Sequence, residues 1–306
     1  MIRIGTRKSK LALWQANQVK DKLHDLGQFC ELVLIESEGD KILDTALPLM
    51  GGKGVFTKTL DDALIEGKVD LVVHSFKDIP TDIPEEIQLC AVMKRGNPFD
   101  VLVVRKEDSF TKNSNKKAII ATSSNRRRFQ WLDRYENHNI CNIRGNVDTR
   151  LKKLRESDWD GAIFAAAGLI RLNLDYEISK VLDWMIPAPA QGAVAITCRL
   201  NDAKVIALCK NLNHLETALC TRIERAFLNK LNGGCSAPIG AYAKIEKGLV
   251  ILKTLVMDPD GEIKIEVNLE KDFVLAQDLG LVAAKYALEK GAQEIIDKLP
   301  KEKRLH

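Results

Sequence analysis

The chain has 306 residues, 45% hydrophobic and 29% charged, a mixture that suits a globular protein of two or three domains and excludes a disordered one. Its 46 basic and 42 acidic residues leave a net charge of +4, too mild to argue for nucleic acid unless the basic residues cluster. Seven cysteines with no C-x-x-C pair argue against a disulfide framework and a zinc site, and no apolar run approaches the ~18 residues of a membrane span.

The first residues, Met1-Ile2-Arg3-Ile4-Gly5-Thr6-Arg7, carry charges where a signal peptide needs an apolar core, so a cytoplasmic location is expected. One pattern then recurs: a short apolar strand, a polar loop and a helix. Ile2 to Gly5 leads into Thr6-Arg7-Lys8-Ser9 and a helical pattern from about Leu11 to Leu26. Gly51-Gly52-Lys53-Gly54 lacks the spacing and the trailing Ser or Thr of a phosphate loop, and reads as a mobile flap carrying Lys53 over a cleft. Val69 to His74 leads into Ser75-Phe76-Lys77-Asp78-Ile79-Pro80. Ile119 to Ala121 leads into Thr122-Ser123-Ser124-Asn125-Arg126-Arg127 and a helix through Tyr135. Ile140 to Ile143 leads into the loop from Arg144 to Arg150 and a helix to Glu156, and Asp160 to Ala166 leads into Ala167-Gly168-Leu169-Ile170-Arg171. Pro187-Ala188-Pro189-Ala190-Gln191-Gly192 fits a segment crossing between domains that places Gln191 near a ligand. Such alternation predicts α/β sheets of parallel strands, with ligands beyond the strands' carboxyl ends, where helix N-termini suit anions.

The last third changes character. An amphipathic helix is predicted from His214 to Leu231, with Leu215, Leu219, Ile223, Phe227 and Leu231 on one stripe. Next come the loop Asn232-Gly233-Gly234-Cys235-Ser236-Ala237-Pro238 and strands at Ala241–Ile245, Leu249–Met257 and Glu262–Leu269. Asp258-Pro259-Asp260-Gly261 turns between the last two, and a final helix runs from about Val274 to Leu299. The expected division is one α/β domain of residues 1–97 plus about 193–212, a second of 98–192, and a small α+β domain of 213–306 with a three-stranded antiparallel sheet. Six cysteines lie in or beside apolar stretches, whereas the glycines around Cys235 set it on a tight, open turn. Local sequence leaves two readings open, a chemically available thiol and a loop cysteine of no consequence.

Arg7, Arg126, Arg127, Arg144, Arg150 and Arg171 all fall at strand-to-helix transitions, with Lys77 at another. Converging on one cleft they would repel one another without a polyanionic ligand, and the planar guanidinium fork suits carboxylates or phosphates. The run Arg126-Arg127-Arg128 alone fits a nucleic-acid patch, but 6% aromatics and dispersed arginines argue against that. Asp78, an ordinary turn cap by position, is the natural counter-charge to a cation formed in such a cleft. His74 ends an apolar run and reads as a core histidine.

The segments Arg3 to Ala16, Gly51 to Gly54, His74 to Pro80, Thr122 to Arg128, Arg144 to Leu151, Ala166 to Leu172, Gln191 to Ala193 and Asn232 to Cys235, in that order, resemble the porphobilinogen deaminase (hydroxymethylbilane synthase) family. The resemblance implies three domains, the first two like periplasmic binding proteins, and a dipyrromethane cofactor joined to Cys235 by a thioether. It implies a transferase of haem biosynthesis that adds four porphobilinogen units to that primer, each losing ammonia, and releases the linear tetrapyrrole. A monomer with no metal, nucleic-acid or membrane partner is expected. By match to the family's motifs, Asp78 is the catalytic carboxylate beside the cofactor. Lys77, Ser124, Arg126 and Arg127 hold the cofactor's rings. Arg7, Ser9, Thr122, Arg144, Arg150 and Gln191 bind incoming substrate, and Arg171 supports the chain. Each pyrrole's acetate and propionate account for the arginines. Phe99 stands where this segment of the family has arginine, Asn125 where leucine is usual, and Phe76 where methionine or tyrosine is common. A competing class is a non-enzymatic, two-lobed binding protein for a small anion.

Overall fold

The computed structural model describes residues 1–36, 57–108, 110–112, 116–234, 237–258 and 263–298. Lys53 and the rest of the expected flap, Cys235, and most of the expected turn after Asp258 lie outside the described residues. Short runs of buried apolar residues make the strands, and polar loops lead into the helices. The chain opens with β1 (Ile2–Thr6), α1 (Lys10–Asp25), β2 (Cys30–Leu34), α2 (Lys58–Ile65), β3 (Leu71–Ser75) and β4 (Ile87–Val92). It then crosses into a second unit of β5 (Asp100–Val104), β6 (Ile119–Ala121), α3 (Asn125–Arg134), β7 (Asn139–Cys141), α4 (Val147–Glu156), β8 (Gly161–Ala165), α5 (Ala166–Arg171) and β9 (Lys180–Leu182). β10 (Val194–Arg199) and α6 (Ala203–Lys210) return to the first unit.

The first sheet has the order β2-β1-β3-β10-β4 and the second β7-β6-β8-β5-β9. β1 runs parallel to β2 and β3, and β6 parallel to β7 and β8. β10 is antiparallel to β3 and β4, and β5 antiparallel to β8 and β9. The expectation of parallel strands throughout is therefore corrected: both sheets are mixed. The reversed strands are the two fed from the other unit. Neither is delivered by a helical crossover within its own sheet, the connection that parallel neighbours require.

Ser9 starts α1, its Oγ accepting a hydrogen bond from the Ala12 amide at 3.3 Å. The helix buries Ala16, Val19 and Leu23 against Ile4, Leu71 and Ile196 of the sheet.

The third unit is α7 (Leu215–Lys230), β11 (Ile239–Glu246), β12 (Leu249–Met257), β13 (Lys264–Asp272), α8 (Leu279–Glu289) and α9 (Ala292–Asp297), with the strands in an antiparallel meander. Leu219, Ile223, Phe227 and Leu231 of the predicted stripe are buried against Val250, Leu252 and Val256, while Leu215 is exposed. Helices α7 and α8 approach so closely that a Cβ at Gly280 would lie 2.0 Å from the Ile223 carbonyl oxygen. The single C-terminal helix expected from sequence is instead a 3-10 stretch, Phe273–Asp278, followed by α8 and α9. Gly291, at φ +94°, breaks it in a left-handed conformation that other residues rarely adopt.

Candidate functional site

β3 ends at Ser75, whose Oγ accepts a hydrogen bond from Gln15 Nε2 at 2.8 Å, and the chain turns at once into the 3-10 segment Phe76–Asp78. Phe76 is buried with Ile79, Val92 and Ala195, which leaves Lys77 and Asp78 half-buried at the end of the sheet. Among the described residues the Asp78 carboxylate has no hydrogen-bond or ion-pair partner. Burial pulls the Lys77 ammonium down to about 8; Asp78 and Asp100 oppose the shift, and Arg127 and Arg126 add to it. His74, one turn earlier, is buried beside Thr197 Oγ1 at 3.3 Å, a core histidine whose titration burial pushes down to about 4.

Facing this turn, α3 begins after β6 and projects Arg126 and Arg127 onto Asp100, which is fully buried at the head of β5. Arg126 donates to Asp100 Oδ2 at 2.6 Å and to the Ile186 carbonyl at 2.9 Å. Arg127 Nε donates to Asp100 Oδ1 at 2.9 Å, and its NH1 reaches the Ile163 carbonyl at 2.9 Å. Burial works against the Asp100 charge, but the two guanidiniums and their hydrogen bonds hold its carboxyl well below the usual range. Gln191 bridges the two carboxylate regions. Its Nε2 donates to Asp100 Oδ1 at 3.0 Å and to the Pro98 carbonyl at 2.8 Å, while its Oε1 accepts from Lys77 Nζ at 3.5 Å.

Arg150, in the first turns of α4, donates from Nε to the Gly145 carbonyl at 2.7 Å. It is pushed down to about 10 by burial and by the like charges of Arg127 and Arg144, with Asp78 offsetting part of the shift. Arg171 donates to the Gly192 carbonyl at 2.6 Å and lies 5.3 Å from the Trp14 ring centroid, so it braces the crossing segment against α1. Arg7 is close enough to His74 to act on it electrostatically. Lys77, Asp78, Arg126, Arg127, Arg144, Arg150 and Gln191 thus share one region. Ser9 is engaged as the α1 cap, Thr122 Oγ1 accepts from the Ser124 amide at 3.3 Å, and Ser124 sits at the α3 N-terminus without a side-chain cap bond.

Sequence reasoning missed the groups that hold the cations. Asp100 was hidden as the first residue of an apolar strand, and its one signal was an acid with no polar neighbour in Asp100-Val101-Leu102-Val103. It also missed Glu224 of α7, fully buried, which accepts from Arg95 at 2.6 and 3.1 Å and from the Ala190 and Ala243 amides at 2.7 Å each. That one carboxylate joins all three units. Phe99 lies 5.6 Å from the Tyr242 ring in a tilted pair, so aromatic packing occupies the place where the resemblance implied a cation.

Residues 2–207 match the model described as "Porphobilinogen deaminase, dipyromethane cofactor binding domain", and residues 218–289 match "Porphobilinogen deaminase, C-terminal domain". The chain belongs to the porphobilinogen deaminase family. A porphobilinogen deaminase of Pelotomaculum thermopropionicum is 41% identical over 307 residues, covering 99% of this chain and 98% of that protein. Solved structures similar to this chain include the VFT2 domain of Bordetella pertussis BvgS, with 10% identity, 69% of this chain and 85% of that one covered, and a TM-score of 0.42. A periplasmic substrate-binding protein of an ABC transporter from Coxiella burnetii has 15% identity, covers 71% of this chain and 95% of that one, and has a TM-score of 0.43. Likeness of that degree carries no argument about ligand.

The donor set suits the polycarboxylate that the porphobilinogen deaminase domain is named for. Lys77, Arg126, Arg127, Arg144 and Arg150 outnumber the acids Asp78 and Asp100 among them. Arg126 Nε is also buried without a hydrogen-bond partner among the described residues. Carboxylates entering this region would relieve both the repulsion and the missing bond.

Proposed function

We infer that this chain is a porphobilinogen deaminase: it joins four porphobilinogen molecules, with loss of ammonia, onto a dipyrromethane primer and releases hydroxymethylbilane. The observation that carries the reading is the Asp78 carboxylate, without a hydrogen-bond or ion-pair partner among the described residues and set in a cation-rich region, in a chain whose two parts match the two family models. The dipyrromethane supplies the nucleophilic pyrrole carbon and is attached through a thioether to Cys235. Lys77, Ser124, Arg126 and Arg127 hold its carboxylates, Arg126 and Arg127 with the donors they do not spend on Asp100.

Arg7, Ser9, Thr122, Arg144, Arg150 and Gln191 orient the incoming ring, and Arg171 holds the crossing segment in place. The substrate's aminomethyl group is an ammonium at neutral pH, so its departure needs little help from an acid. Ammonia leaves with the C–N bonding pair, and the positive charge left on the ring is stabilised by Asp78. Asp78 would also be the base available to take the ring proton that the new carbon–carbon bond displaces.

Intact-protein mass spectrometry tests the attachment. A mass excess equal to dipyrromethane, absent from Cys235→Ser, supports it, and an unmodified protein that turns porphobilinogen over sinks it. Ammonia release with hydroxymethylbilane formation separates the enzyme from a two-lobed anion-binding protein, which would bind porphobilinogen without consuming it.

A further inference from the structure

We propose that Arg225 of α7 is a positioning residue that holds the Asp78 turn in its working geometry. This rests on Asp78 being the reacting carboxylate, as above. The turn is weak by itself: the Ile79 amide donates to the Phe76 carbonyl at 3.3 Å, and no side chain caps the turn from Ser75. A 3-10 turn of three residues with one long hydrogen bond does not fix a side chain. Arg225 supplies what is missing. Its NH1 donates to the Ile79 carbonyl at 2.8 Å and to the Phe76 carbonyl at 3.4 Å, and its NH2 donates to the Pro80 carbonyl at 2.6 Å. The guanidinium carbon stands 4.7 Å from the centroid of the buried Phe76 ring. One planar cation therefore gathers the carbonyls on both sides of Lys77 and Asp78 and clamps the ring that anchors the turn.

The source of the clamp matters. Arg225 belongs to the third unit, while Asp78 belongs to the first. The helix that bears Arg225 ends at Lys230, and Cys235 follows five residues later in the sequence. The preceding residue, Glu224, fixes the same helix to Arg95 and to the crossing segment at Ala190. A single helix thus ties the position of the reacting carboxylate to the chain segment that leads into Cys235. The substrate-binding arginines come from other loops, so loss of the clamp leaves binding largely intact and misplaces Asp78.

Steady-state kinetics of cofactor-loaded Arg225→Gln is the test, loading being confirmed by mass. The expected result is kcat lower by about 10–100-fold, since misplacement of about 1 Å can cost that much, with KM within about threefold. In an Asp78→Asn background the same substitution costs less than about threefold further, because the group it positions is gone. An unchanged kcat, or a loss of the same size with and without Asp78, overturns the proposal. Arg225→Lys, which keeps the charge but not the three-carbonyl fork, falls between the two and decides the matter alone if the glutamine variant does not fold: a lowered kcat at constant KM supports the clamp, and wild-type kcat overturns it. Near-normal turnover by Asp78→Asn would instead overturn the role of Asp78, whatever Arg225 does.

Discussion

Two aspartates at the heads of strands, Asp78 after β3 and Asp100 opening β5, meet the same crowd of cations in opposite ways. Asp100 is fully buried and its oxygens are taken by Arg126, Arg127 and Gln191. Asp78 is half-buried and has no partner among the described residues. A saturated carboxylate fixes the geometry of its neighbours and has nothing left to offer a ligand. An open one, held by its backbone in place of its oxygens, keeps its charge available. Arg126 and Arg127 are accordingly held in place by Asp100, and under the proposed function the donors that Asp100 does not take are the ones offered to the cofactor's carboxylates.

The contrast is sharpest in what each substitution damages. Asp78→Asn, nearly isosteric, is expected to lower kcat by about 10²–10⁴-fold, the usual reach of a positioned acid or base, with the cofactor still attached and the melting temperature nearly unchanged. Turnover assays beside intact mass check this. Asp100→Asn leaves two buried guanidiniums without their counter-charge and is expected to cost about 3–5 kcal/mol of stability, read by urea unfolding. If Asp78→Asn unfolds the protein while Asp100→Asn spares it, the assignment of roles is reversed.

Lys77 gives a pH handle on the open side. Folded and without ligand it titrates at about 8, and in the unfolded chain near ~10.4. Between those values the unfolded chain holds the extra proton, so the destabilisation from burying this ammonium is full below pH 8 and fades as pH rises. A bound polycarboxylate favours the protonated form. Binding of benzenehexacarboxylate to the Cys235→Ser variant should therefore take up protons and weaken between pH 8 and 9.5, as calorimetry in two buffers will show. Lys77→Met should flatten that dependence.

The smallest effect belongs to the bridge. Gln191→Leu breaks the bonds to Asp100 and to the Pro98 carbonyl and should cost about 1–3 kcal/mol, with a smaller loss of kcat than Asp78→Asn. An undiminished melting temperature would show the bridge to be incidental.

The cations were legible because each follows an apolar run, at the passage from strand to helix, and that pattern is local. Strand direction was not, since β5 and β10 look like any other apolar strand and only the crossings between units reverse them. Partners were not legible either. Nothing near Asp100 in sequence announces Arg126, and Glu224 and Arg225 read as two charged positions on an amphipathic helix. Asp100 meets Arg126 only when the second unit folds, and Glu224 and Arg225 meet their partners only when the third unit packs against the other two. The motif around Cys235 was plain in sequence, while its structure lies outside the described residues.

The place of β10 has a consequence for synthesis. It fills the gap between β3 and β4, yet more than a hundred residues and the whole second sheet separate it from β4 in the chain. On the ribosome, the second sheet has all its strands once residue 182 has emerged, while the first waits for residues 194–199. The amino-terminal unit of the protein is thus made first and closed later. Until then β3, which leads directly to Asp78, is an unpaired edge that is open to wrong partners.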